Sequence, residues 1–211
     1  PNNQLLQTDK STMLGNFGFG RAGFDYFIDN RNTISLSGSM AKGSFKPSTS
    51  SSMETDFLSM PVVSSLAERL SNSKNTFQNS GTMLSYKRNF PKAGHELTAD
   101  ITYNKSKNSN TNLIKTDSLD YSTKNVVKTS SQRQDGKGTN ENFIFQTDYT
   151  NPINDKSKFE MGARVGIRKV DNKNDFFLID ASGAAVYNPL SSVNYNSTDK
   201  VYAAYTTYTN Q

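Results

Sequence analysis

The chain has 211 residues, enough for one or two domains, yet only 33% are hydrophobic, a poor supply for a large water-excluding core. Thirteen Phe and ten Tyr are nevertheless too many rings for a solvated, disordered tail. There is no Cys, which excludes disulfides and thiolate chemistry, and the net charge of +5 is spread through polar stretches as Lys46, Lys74, Lys105, Lys107, Lys124, Lys128 and Lys137, which argues against a nucleic-acid footprint.

Near the start, Gly18, Gly20 and Gly23 spell G-x-G-x-x-G, the form of a dinucleotide-binding loop. Such a loop needs a buried strand before it and a helix after it. Here the preceding residues are polar, and the following Phe24, Tyr26 and Ile28 alternate with Asp25, Phe27 and Asp29, the period of a strand. The apolar phase changes from Phe17 and Phe19 to Ala22, Phe24 and Tyr26, so a β-bulge is expected at these glycines, which either permit it or let a crowded neighbour approach. Asp29 to Asn32 reads as a tight turn, followed by a clean strand with Ile34, Leu36, Gly38 and Met40 on one face and Ser35, Ser37 and Ser39 on the other.

Pro47 to Lys74 reads as a long polar loop in which Ser64 to Leu70 resembles one or two helical turns. Leu84 and Tyr86 mark a noisier strand, and Phe90 to Gly94 a second tight turn flanked by the single histidine, His95. Leu97, Ala99, Ile101 and Tyr103 then alternate with polar residues. A second long loop is expected from Lys107 to Lys137. Phe143, Phe145 and Tyr149 define the next strand, Asn151 to Ser157 a third tight turn, and Phe159 to Ile167 a strand with Met161, Ala163 and Val165 on its apolar face. A third long loop, Asp171 to Ser197, contains a small hairpin turning at Asp180 to Gly183, and a further strand begins at Val201. Asp171 to Asp175 and Asp135 to Glu141 offer oxygen ligands at short spacing but lack the ligand series of an EF-hand, so no metal is assigned to them.

Short turns alternating with long loops put all the turns at one end of a meander and all the loops at the other. The fold class expected is therefore all-β: an antiparallel meander of long strands, a section of a transmembrane β-barrel with short periplasmic turns and long extracellular loops. The strands, at about eleven residues or more, exceed the five or six usual in soluble domains and suffice to cross a bilayer. No apolar run is long enough for a membrane helix, which says nothing against a barrel. Ile34, Leu36, Met40, Leu97, Ile101, Val165 and Ile167 are expected to face lipid. Asp25, Lys87, Glu96, Asp100, Asp148, Glu160, Arg164 and Arg168 are expected to face the lumen. Tyr26, Tyr86, Tyr149 and Phe159 fall near the turn end, where an interfacial girdle belongs. The competing reading is a soluble β-sandwich binding module.

The stretches "GFDYFIDNRNTISLSGS", "SYKRNFPKAGHELTADITYNKSK", "FIFQTDYTNPI" and "KVYAAYTTYTNQ" resemble consecutive strand, turn and strand blocks of Bacteroidetes-type outer-membrane β-barrel proteins of the TonB-dependent receptor family. The resemblance implies an outer-membrane barrel of about 22 strands with a plugged lumen. It also implies an inner-membrane energy-coupling complex acting on the plug; the first functional hypothesis is import of a nutrient such as a metal chelate, glycan or peptide, and whether a surface lipoprotein covers the long loops is left open. The sequence departs from the family in extent: residues 1–211 read as a partial barrel domain of six strands and the start of a seventh, with plug and barrel closure absent. Asp100, Arg164 and Arg168, being mid-strand, are the preferred plug-facing residues. No catalytic pair or cofactor motif is recognisable, so no enzyme activity and no cofactor are expected. The alternative within the membrane is a structural or adhesive barrel without active transport.

Overall fold

The computed structural model describes residues 3–57 and 63–210. They form one eight-stranded antiparallel sheet: β1 (Asn3–Asp29), β2 (Asn32–Phe57), β3 (Val63–Asn89), β4 (Glu96–Leu119), β5 (Val126–Pro152), β6 (Ser157–Ile179), β7 (Ala185–Tyr187) and β8 (Val193–Asn210). Each of β1 to β6 pairs with its neighbour in sequence, and β6 is then continued by the three-residue β7 at its far end and by β8 along the rest. Among the described residues there is no helix, so the turns suggested for Ser64 to Leu70 are corrected: that segment is strand, with Ser64 to Leu70 paired to Asp56 to Ser50. From Leu66 on, its polar and apolar residues alike are paired in the ladder on both sides.

The sheet has a single layer. Ile114, 4% exposed, is the one buried hydrophobic side chain among the described residues, whereas Phe24 is 62% and Tyr202 69% exposed. The low hydrophobic content follows from this architecture, because no second layer exists to bury a core against.

The three tight turns lie where the sequence puts them, at Asn30–Arg31, Phe90–His95 and Ile153–Lys156. Two of them, and the far-end turns that begin at Asp120 and Asp180, share one device, a carboxylate or amide oxygen that accepts backbone N–H bonds two to four residues on. Asp29 Oδ1 accepts from Arg31 and Asn32 at 2.7 and 2.8 Å, and Asn154 Oδ1 from Lys156 and Ser157 at 2.9 and 2.8 Å. At the far end Asp120 Oδ1 accepts from Thr123 N at 2.7 Å, and Asp180 Oδ1 from Ser182 and Ala184 at 2.9 Å. The Phe90–His95 and Asp180–Ala184 turns also need the left-handed backbone of Gly94 (φ 72°) and Gly183 (φ 84°).

The long loops are a correction. Most of Pro47 to Lys74, Lys107 to Lys137 and Asp171 to Ser197 is strand, so that β1 to β6 each run 23 to 27 residues. The second far-end connection is only Asp120 to Asn125; that between β2 and β3 lies outside the described residues. The ladder needs backbone partners, not an apolar face, and here Ser, Thr and Asn add side-chain bonds across strands. Ser48 Oγ donates to Asn72 Oδ1 at 2.7 Å, Ser71 and Ser73 Oγ both to Asn112 Oδ1 at 2.9 Å, and Thr76 and Ser109 hydroxyls meet at 2.7 Å. Pro47, lacking an N–H, leaves a gap: β2 pairs β3 up to Phe45 and again from Ser48, without change of register.

The expected bulge at Gly18 to Gly23 is absent. Pairing runs without a break from Asn3↔Phe57 to Phe27↔Thr33 and shifts only between Phe27 and Asp29, beside the turn. The change of apolar phase is instead a change of which face carries rings. Phe17 lies 6.0 Å from Phe77, and Phe77 6.0 Å from Phe45, on one face, while Phe24 and Tyr26 stand on the other opposite Leu36 and Ile34. Gly43 is required by this stack, since a Cβ there would sit 2.5 Å from the Phe77 ring. The hairpin expected at Asp180 to Gly183 is present as the β6–β7 turn.

Candidate functional site

In an antiparallel sheet, paired residues share a face, so the register alone sorts the side chains. One face carries aligned rows: Tyr26, Ile34, Tyr86, Ala99, Thr147, Ala163 and Ala204; then Phe24, Leu36, Leu84, Ile101, Phe145, Val165 and Tyr202. The flanking rows add Leu97, Tyr149 and Met161 toward the turns, and Tyr103, Phe143 and Ile167 away from them. This apolar belt crosses seven strands. Along β6 it extends from Phe159 to Ile167, about 26 Å at 3.3 Å per residue. All seven residues expected to face lipid stand on this face.

At the turn end the belt closes in aromatic residues with polar tips. Tyr86 donates to Asn32 Oδ1 at 2.6 Å, while His95 stacks on Phe90 with centroids 4.0 Å apart and meets the Tyr149 hydroxyl at 2.9 Å through Nε2. Rings with one wet end are what a membrane interface selects.

All eight charged residues singled out in the sequence share the opposite face. Asp25, Asp100 and Arg164 share one row, Lys87 and Asp148 the next toward the turns, and Glu96 and Glu160 the row beyond. Arg168 stands apart, two rows above Arg164. Asp100 and Arg164 do not meet, because Gln146 on β5 separates them by two strand spacings, about 10 Å. Lys87 Nζ pairs with Glu96 at 2.8 Å, and Glu160 with Lys158 at 2.9 Å.

Asp148 is held on both oxygens: Tyr205 Oη donates to Oδ1 and Gln146 Nε2 to Oδ2, both at 2.8 Å. The Tyr205 ring reaches it across Gly162, where a Cβ would also lie 2.9 Å from the Thr147 carbonyl. Tyr205, Gln146 and Gly162 escape sequence reasoning, because their roles exist only once β5, β6 and β8 are in register.

Above these charges the same face becomes uncharged. Asn108 and Asn172 flank Gly138, Asn110 and Asn174 flank Gly136, and their amides lean over the glycines, beside the Phe17, Phe77 and Phe45 stack. The signal was in the sequence: in "NKSKNSNTN" Asn104, Asn108, Asn110 and Asn112 keep one parity and Lys105 and Lys107 the other. In the two acidic stretches Asp135, Glu141, Asp171 and Asp175 share the belt-side face, Asp135 directly opposite Asp175, and these two each pair with a cation on their own strand, Arg133 at 3.0 Å and Lys173 at 2.9 Å.

Among curated proteins none matches the chain. The solved structure of the ferric yersiniabactin uptake receptor FyuA from Yersinia pestis matches at a TM-score of 0.28 and 10% identity over 95% of the chain, which spans 44% of that receptor. The profile of the outer membrane protein beta-barrel family matches residues 88–211. An antiparallel meander of membrane-length strands, without helix among the described residues, and a family match over more than half of the chain agree, and the chain belongs to the outer membrane protein beta-barrel family, resident in the bacterial outer membrane.

Proposed function

We propose that the chain is a section of the wall of a TonB-dependent receptor that imports a nutrient ligand, with the apolar belt against lipid and the charged and amide face lining the lumen. The observation that carries this reading is the alignment of the two side-chain periods across seven strands: every strand contributes to the same belt, and the eight candidate charges all lie behind it. A lumen wall of this kind offers both signs of charge to a plug near the turn end, and neutral hydrogen-bonding groups nearer the far end. The plug of the parent protein and an inner-membrane energy-coupling complex are its proposed partners, with a surface lipoprotein over the far end. The proposed role is binding and transport rather than catalysis.

Uptake measured in cells with and without the parent gene tests this, using a panel of labelled metal chelates, oligosaccharides and peptides. An energised receptor gives gene-dependent accumulation of one class that stops when a protonophore collapses the inner-membrane gradient. Gene-dependent surface binding that is indifferent to the protonophore would replace transport with a structural or adhesive role.

A further inference from the structure

Lysines that look scattered along the sequence gather when the strands pair. On the belt face, the four rows from the far margin of the belt outward contain Lys42, Lys105, Lys107, Lys137, Lys169, Lys173 and Lys200, against only Glu141 and Asp171. Seven lysines against two carboxylates is an excess as large as the net charge of the whole chain, +5. Lys105 pairs with Glu141, and Lys173 with Asp175 at 2.9 Å. Among the described residues Lys42, Lys107, Lys137, Lys169 and Lys200 have no ion-pair partner, and all five are exposed.

Ordinary solubilising charge does not account for this pattern. At the same height the opposite face carries asparagines, glycines and rings, with Arg21, Arg168 and Asp199 confined to one row. Charge is thus concentrated on one side of a single-layer sheet, in a band directly continuous with the apolar belt. A surface that is apolar over about 26 Å and then strongly basic is complementary to a molecule with hydrocarbon chains and an anionic head. Lysines on alternate strands stand about 10 Å apart, leaving room for one head group between two ammonium groups.

We propose that this lysine girdle binds the phosphate-bearing head groups of lipids whose acyl chains lie on the belt, fixing the barrel's height and its lipid neighbours in the leaflet away from the tight turns. The inference rests on the lipid-facing assignment of the belt. Its test uses the full-length protein reconstituted in phosphatidylcholine vesicles, with and without a diphosphorylated glycolipid, lipid A. A variant carrying Lys42→Gln, Lys107→Gln, Lys169→Gln and Lys200→Gln is compared with one carrying Lys10→Gln, Lys124→Gln, Lys128→Gln and Lys156→Gln, which removes equal charge elsewhere.

In phosphatidylcholine alone both variants should insert and resist protease like the parent. Native mass spectrometry of lipid A binding should show at least about a tenfold loss for the girdle variant and less than twofold for the control, the loss shrinking at high salt and unaffected by inorganic phosphate. Normal insertion with equal loss in both variants, or with no loss in either, overturns the girdle but leaves the membrane reading standing. Failure of the parent to insert in any vesicle overturns both.

Discussion

At the residue scale, two small features hold parts of the sheet together by geometry rather than burial. Gly162 is the floor on which Tyr205 crosses β6 to reach Asp148. Gly162→Val places methyl groups where the ring and the Thr147 carbonyl already lie. The ring can swing away, but the backbone carbonyl cannot, so the substitution should cost about 1–3 kcal/mol, read from denaturant unfolding in vesicles. Tyr205→Phe should lose only the hydrogen bond, about 0.5–1.5 kcal/mol, and the two losses should not add in the double variant, since the first already displaces the ring. At the far end, the backbone N–H and hydroxyl of Thr123 hold the Asp120 carboxyl below its usual range, and the hydroxyl of Ser182 followed by the N–H of Ala184 does the same for Asp180. A carboxylate whose folded pKa is depressed stabilises its turn fully above the ordinary aspartate value of about 4 and loses that contribution as pH falls through the lower folded value. Amide exchange at Thr123 and Ala184 should therefore be slow at pH 6 and accelerate, beyond the intrinsic pH trend, below about pH 4. Asp120→Asn and Asp180→Asn, which keep an acceptor oxygen without a titrating group, should remove that acceleration.

At the scale of the strand, side-chain parity makes a sharp prediction. Leu36 belongs to the apolar belt and Ser37 to the opposite face, and Ile101 and Thr102 repeat the contrast on β4. Leu36→Arg or Ile101→Arg in the full-length protein puts a charge into hydrocarbon at a cost of about 2–4 kcal/mol near the midplane, whereas Ser37→Arg and Thr102→Arg leave it in an aqueous lumen at much smaller cost. Equal losses within each pair, measured by denaturant titration in vesicles, would mean that the belt packs against protein. Parity is also what made the fold legible. Where one face carries an unbroken apolar series, as from Ile34 to Met40 or Phe159 to Ile167, hydrophobic alternation announces the strand. Where both faces are wet, as from Ser48 to Ser52 or Lys107 to Asn112, the ladder continues with no alternation of hydropathy to reveal it, and the segment reads as loop. The Phe17 and Phe19 phase change misled for a related reason: it marks the height at which rings move to the other face, not a break in pairing. The facing of the eight candidate charges was readable within each strand, but their neighbours were not. Asp148 with Tyr205, Phe17 with Phe77 and the lysine girdle are products of register between strands dozens of residues apart, which no local pattern contains.

At the scale of the whole molecule, the sheet ends in two strands with one partner each. Among the described residues β1 pairs only with β2, and β8 only with β6, so each offers a row of backbone donors and acceptors along nearly its full length. Edge strand β1 is exposed from Gln4 to Asp29 and β8 at every residue but the half-buried Ser197 and Thr209, and the belt between them exposes Met40, Leu84, Ile101 and Met161 at 51, 41, 39 and 48%. A membrane barrel removes such edges by closure and covers such a belt with lipid. Residues 1–211 expressed alone should therefore behave as an unfinished surface: in plain buffer they should associate through β1 and β8 into large, β-rich aggregates, because edge pairing and belt contact are both satisfied by another copy. Detergent covers the belt but not the edges, so micelles should reduce the aggregate size without giving a single monomeric species. Light scattering with circular dichroism, in buffer and then across a detergent titration, reads both effects. A folded, monodisperse monomer in buffer would contradict the barrel-wall reading at its root, since such a monomer would need the belt buried by the chain itself, as in a soluble sandwich.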